Sequence, residues 1–146
     1  MKKSIFILIA LVLIATGCRK DKPVDYAKLV IGEWHCVPET FEADIYLAID
    51  EAGTFDLYQQ IGDGRHRHYS GEWEINENVL SGIYSDGQSW GSEYQVSFSG
   101  GNTMTLKAMN GSDEVMGYSR EAIPSEVIDG SITVKSASDG GCRPVL

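Results

Sequence analysis

Two histidines stand two apart in the stretch GRHRHYS, His66 and His68. On an extended chain an i, i+2 pair shares one face, and imidazole is a common metal ligand. Two ligands are too few to hold a metal ion, and no Asp, Glu or Cys stands nearby in sequence as an obvious third. The preferred reading is a polar strand end beside Arg65 and Arg67. His35 lies on the opposite face from Trp34 and, with nothing near it in sequence, reads as a surface residue. No serine sits in a G-x-S-x-G elbow, Ser70-Gly71 and Ser81-Gly82 included. The carboxylate pairs Asp113-Glu114 and Glu72/Glu74 fall on faces assigned to solvent, whereas acid–base work needs burial to tune a pKa. No glycine-rich stretch opens a helix to cradle phosphate. These residues therefore predict no catalytic constellation, no metal site and no cofactor.

The cysteines say more. There are three, at 18, 36 and 142. Cys18 ends the stretch MKKSIFILIALVLIATGC, which begins with Lys2 and Lys3 and continues as an apolar run from Ile5 to Ala15. That run is short for a bilayer span and fits the hydrophobic region of a signal peptide. Ala15-Thr16-Gly17-Cys18 resembles the lipobox of bacterial lipoproteins. The resemblance implies removal of residues 1–17, acylation of Cys18 and attachment to a membrane through that lipid. An ordinary secretory signal with an incidental Cys is the alternative; the register of apolar run, small residues and Cys favours the lipoprotein. Arg19 after the Cys, rather than Asp, resembles the sorting pattern for the outer membrane of a Gram-negative cell, with either the periplasmic or the outer face open. Residues 18–27 then read as the lipidated Cys and a polar tether with Pro23. Cys36 and Cys142 remain as an even pair in an oxidising compartment. A disulfide between them would close a loop of roughly a hundred residues, worth about 4 kcal/mol in the chain-entropy model. Two separate thiols are the equal alternative.

The chain has 146 residues and a formal net charge of −9. What remains after the leader suits one domain with a real core. The acids are dispersed, as on a soluble acidic surface, and without clustered Lys and Arg nucleic acid is excluded as a partner. Sixteen glycines and 10% aromatic residues suit short strands joined by tight turns.

Those strands can be read from period-two alternation. Asp25 caps a short helical turn in DYAKLV. Strands follow at about 31–37, 43–50, 54–60, 65–75, 79–84, 91–98, 103–109 and 113–120. The turns between them include Asp86-Gly87 and Asn110-Gly111, both hairpin dipeptides. Short links force antiparallel neighbours. Eight strands with one apolar face each bury that face best by closing into a barrel, which also removes the sheet edges. The prediction is an all-β, eight-stranded antiparallel up-and-down barrel over residues 28–121, preceded by a helical turn. An open sandwich is the alternative. Residues 122–146 form a tail with one further short strand in SITVK and coil beyond.

Gly32-x-Trp34 after the helical turn, DEAGTF at 50–55, YSGEWEI at 69–75 and GYSR at 117–120 together resemble the lipocalin-like domains of bacterial lipoproteins. The resemblance covers about residues 28–121. It implies that Gly32 and Trp34 sit at the closed end of the barrel, with Arg120 packed over the Trp.

The residues expected inside are Trp34, Ile45, Leu47, Phe55, Leu57, Tyr69, Trp73, Val79, Ile83, Tyr94, Val96, Phe98, Met104, Leu106, Met116 and Tyr118. One reading makes them an apolar calyx for a small, largely apolar molecule. Its pocket would be lined by Leu57, Tyr69, Trp73, Ile83, Tyr94, Phe98, Met104 and Tyr118, with tyrosine hydroxyls to orient the ligand. The other is a filled barrel whose loops bind a protein or a glycan, with Trp90 as an exposed loop aromatic. Neither involves chemistry.

Overall fold

The computed structural model describes residues 21–138 and 143–146. A single turn of helix, α1 (Tyr26–Val30), leads into eight strands: β1 (Gly32–Cys36), β2 (Ala43–Ile49), β3 (Thr54–Ile61), β4 (Arg67–Asn76), β5 (Val79–Tyr84), β6 (Tyr94–Ser99), β7 (Thr103–Ala108) and β8 (Val115–Arg120). Each pairs antiparallel with its sequence neighbour, and β1 also pairs with β8, so the sheet closes. The fold is thus an all-β, eight-stranded up-and-down barrel with a helical turn at its start. Tight turns make it so: positive φ at Gly53, Gly87 and Gly111 lets the chain reverse between strands.

The interior is filled by its own side chains. Trp34, Ile45, Leu47, Phe55, Leu57, Leu80, Met104, Leu106 and Tyr118 are all essentially inaccessible to solvent. Each such side chain is worth about 1.5–3 kcal/mol relative to exposure.

Strand β5 faces the other way from the expected parity. Leu80, Gly82 and Tyr84 point inward, whereas Val79 and Ser81 are half-buried and Ile83 is 51% exposed. Both faces of VLSGIY carry apolar residues, so alternation alone does not choose between them. Trp90 makes the choice. Instead of standing exposed on a loop, its ring turns into the barrel at 5% exposure, edge-on to Phe55 at 5.1 Å and to Tyr94 at 6.1 Å. A Cβ at position 82 would collide with this indole. The inward Trp also delays β6, which begins at Tyr94 rather than near 91. Strands β5 and β6 pair only at Val79–Gln95 and Leu80–Tyr94, and Trp90 fills the rest of the seam, its backbone N–H on Gly82 O at 2.9 Å.

The tail is a strap. Past Arg120 it crosses the outside of the barrel, where Ile123, and Val127 from helix α2 (Ser125–Gly130), pack on Tyr46 and Tyr58. The sheet is therefore covered on both faces here. Strand β9 (Ile132–Thr133) then pairs parallel with β4 at Arg67 and His68, beyond the Gly71–Asn76 stretch that β5 covers.

Candidate functional site at the barrel mouth

The two ends of the barrel are built from different residues. At one end Gly32, Trp34 and Arg120 come together. The Arg120 guanidinium lies 4.1 Å over the Trp34 ring and donates to the carbonyls of Ile31 (2.9 Å), Leu29 (3.1 Å) and Gly101 (3.1 Å). The Trp34 indole N–H donates to Val30 O at 2.8 Å. Gly32 has φ 140°, and a Cβ there would run into the guanidinium. Phe98, half-buried, packs at this end, 6.0 Å from the Trp34 ring and 6.2 Å from Tyr26.

The other end is the mouth. Cys36, Ile45 and Gln59 lie in one cross-strand row there, all buried. Gln59 is placed inward by the same parity as Phe55 and Leu57. It is the one non-aromatic polar side chain buried in the described core, at 1% exposure. An amide in such a place must be hydrogen-bonded at both ends. Its Nε2 donates to Arg143 O at 2.9 Å, and its Oε1 accepts from Val145 N at 2.8 Å. Two tyrosines continue the pattern: Tyr94 Oη donates to Val145 O at 3.3 Å and Tyr84 Oη to Leu146 O at 2.7 Å. Residues 143–146 thus lie in the mouth, with Leu146 buried and Val145 half-buried against the core. A cleft of about 300 Å³ runs beside them, lined by Tyr84, Gln88, Gly91, Ala137 and Leu146 among others.

Burial governs the chemistry of this end. It pushes the Tyr94 hydroxyl up to about 12 and the Cys36 thiol up to about 11. Burial, then the neighbouring Tyr94 and Tyr69, raises Tyr84. Tyr118 is raised well above the ordinary tyrosine value, by burial first and then by Cys36, Tyr94 and Tyr84. All four groups stay protonated near neutrality, so they act as neutral donors and acceptors. The Tyr118 hydroxyl, fully buried, has no hydrogen-bond partner among the described residues.

Of the residues expected to line a pocket, Leu57, Tyr69, Tyr94, Met104 and Tyr118 are in the core. Phe98 is at the closed end. Ile83 is outside, and Trp73 is half-buried with its indole N–H on Asp50 O at 2.9 Å. These last two instead line a surface cleft of about 390 Å³, together with Glu72, Glu74, Ser81 and Glu93. Cys36 carries a free thiol. Cys18 and Cys142 lie outside the described residues.

The histidines form an outer-face network. His35 is not a bare surface residue: Nε2 is 2.6 Å from Asp44 and Nδ1 is 3.0 Å from Glu121, and its ring stacks on Tyr46 at 4.3 Å. His66 reaches the other Asp44 oxygen at 2.9 Å, while His68 pairs with Asp56 at 2.6 Å and stacks on Tyr58. His66 and His68 therefore serve different carboxylates. Among the described residues no group of three or more His, Cys, Asp or Glu is disposed to hold a metal ion.

Sequence reasoning missed Gln59 and the tail that it holds. For Gln59 a signal existed: it continues the inward series Phe55, Leu57. For residues 143–146 none did, since their partners lie more than fifty residues away.

No family model matches the chain, and no curated protein matches it. Among solved structures it is similar to a protein from Bacteroides uniformis determined by NMR. The two share 10% identity at a TM-score of 0.53, over 66% of this chain and 93% of that one. At that identity the likeness is one of fold. The chain is an eight-stranded antiparallel β-barrel, a fold compatible with ligand binding.

Proposed function

We propose that this is a lipocalin-like binding protein, anchored by lipid on Cys18 to the outer membrane of a Gram-negative cell, that takes up a small, largely apolar molecule at the barrel mouth. It holds that molecule without chemistry. The observation that carries the reading is a cluster of neutral polar groups, Gln59, Tyr84, Tyr94 and Tyr118, set in an otherwise apolar interior. Such a combination of apolar wall and a few convergent polar atoms is what orients a small ligand. The residues 143–146 occupy the seat, so a ligand would enter by displacing them. Native mass spectrometry of protein purified from its own host tests this. A co-purifying small molecule is expected, and its absence at every purification stage overturns the reading. Anchoring is checked separately: labelled palmitate should be incorporated by the full chain and not by Cys18→Ala.

A second reading has one observation in its favour. The interior is filled, and half-buried Trp73 and exposed Ile83 line a cleft outside it. An interaction module would bind a protein or glycan there. A partner lost on Ile83→Ser and kept on Gln59→Leu would decide for this reading.

A further inference from the structure

We propose that the mouth is a reader of extended peptide, and that its ligand is a short peptide segment with apolar side chains for which residues 143–146 stand in. The inference rests on the mouth being the binding seat and names the class of molecule that the seat takes.

The bonding pattern carries it. The Gln59 side chain bridges Arg143 O and Val145 N, the carbonyl before and the amide after Pro144. This is the pairing one residue of a parallel strand makes with the two flanks of its neighbour. The side-chain amide thus does the work of a strand backbone. Proline suits the straddled position, because it has no N–H to leave unpaired. Tyr94 and Tyr84 then donate to the next two main-chain oxygens, those of Val145 and Leu146. Among the described residues, Gln59, Tyr84 and Tyr94 thus place four hydrogen bonds on main-chain atoms of the segment. The side chain of Leu146 is taken into the core, and that of Val145 packs against it. A site that spends its polar groups on successive peptide bonds and its apolar wall on the side chains between them recognises an extended apolar peptide. A fatty acyl chain or a sterol has no donor–acceptor pair to replace the two bonds that Gln59 makes to Arg143 O and Val145 N.

The chain's own segment is then a competitor in cis, and mass action governs exchange. The probe is the peptide acetyl-Arg-Pro-Val-Leu-amide, with dodecanoic acid as an apolar molecule lacking peptide bonds. The host is the full chain carrying Val145→Asp and Leu146→Asp, which expels the segment. By calorimetry the peptide should bind this variant roughly ten-fold or more tightly than it binds the unaltered chain. Adding Gln59→Leu should remove roughly ten-fold of that affinity, as expected for a buried hydrogen-bonded pair. Equal binding to all three chains, or indifference to Gln59→Leu, overturns the proposal. If dodecanoic acid binds the variant while the peptide does not, the peptide inference fails and the mouth remains a binding seat; if neither binds, both fail. A dimer linked by exchanged segments would also overturn it, by making a second copy the occupant. Should the doubly charged variant not fold, hydrogen exchange on the unaltered chain decides. Excess peptide should lower protection of the Val145 N–H, and unchanged protection counts against the proposal.

Discussion

At the closed end, Arg120 caps Trp34 and satisfies carbonyls from the entering helix and a neighbouring turn. At the mouth, Gln59, Tyr84 and Tyr94 hold a segment that belongs to no barrel strand. Both ends exclude water, yet they are different devices. Gly32, Trp34 and Arg120 are all strand residues of the barrel itself, and Gly32 is shaped to fit the guanidinium. Opening that end means breaking the barrel. The second is made of neutral side chains gripping the backbone of a segment distant in sequence, and it leaves the Tyr118 hydroxyl unpaired among the described residues. One end is a seal and the other a plug. Stability should live at the seal and exchange at the plug.

The sharpest way to break this contrast is Trp34→Ala. Removing a fully buried Trp from a filled interior should cost about 3–5 kcal/mol, read as a lower denaturation midpoint at unchanged slope. A loss under about 1 kcal/mol would mean that the closed end is not the seal. Next is Gly32→Ala, expected to cost about 1–3 kcal/mol through its positive φ and the collision with Arg120. Arg120→Ala should cost a similar amount from its three carbonyl bonds and the ring contact. Because one collision is shared, the double variant should be less destabilised than the sum. Additive losses would show that Gly32 serves its φ alone.

How far these ends can be read from sequence follows the same division. The barrel and its parity in β4, where Tyr69, Gly71, Trp73 and Ile75 alternate with exposed or half-exposed polar residues, are written in period two. Gly-x-Trp and the late Arg120 are close to their partners in register, so the seal was legible through resemblance. Strand β5 was misread because both its faces are apolar. The clue was Gly82, since a glycine inside a strand often marks a close approach, here of Trp90. The plug was illegible for a different reason. Its bonds join residue 59 to 143 and 145, and residues 84 and 94 to 146 and 145, through side chains reading a backbone. Backbone recognition leaves almost no trace in the residue types being recognised. The outer network of His35, Asp44 and His66 was hidden likewise, since cross-strand neighbours are set by register and not by proximity in sequence.

At the mouth, Gln59→Leu should change stability by about 1–2 kcal/mol or less, because amide and plug contacts are lost together while apolar volume is kept. Its larger effect should be on access. In a chain with Cys18→Ser and Cys142→Ser, the Cys36 thiol should react with a thiol reagent roughly ten-fold faster once Gln59 is Leu. An unchanged rate would mean that the segment does not guard this end. Titration sharpens the same point. Burial keeps the Cys36 thiol protonated up to about 11, whereas the unfolded chain loses that proton at the ordinary thiol value. Between the two values the unfolded state binds fewer protons, so stability falls as pH rises. The contribution is whole below the ordinary value and gone above about 11. Denaturation midpoints should therefore drop in that window and drop less in Cys36→Ala. Equal drops would place the alkaline weakness elsewhere.

The smallest expected effect lies at neither end. Ile83 is 51% exposed on the outer face of β5, paired across the strand with Glu72. Ile83→Ser removes no core contact, so its effect on stability should stay within about 0.5 kcal/mol. It should leave both the Cys36 reaction rate and Trp34-dependent stability as they were. That silence is informative, because an exposed β-branched apolar residue beside a half-buried Trp is otherwise an unforced cost to solubility. If the substitution is silent in stability and silent in every binding assay, strand propensity is reason enough for an isoleucine here. If it is silent in stability but abolishes a partner, the outer wall of the barrel is a third region, bound neither to the seal nor to the plug.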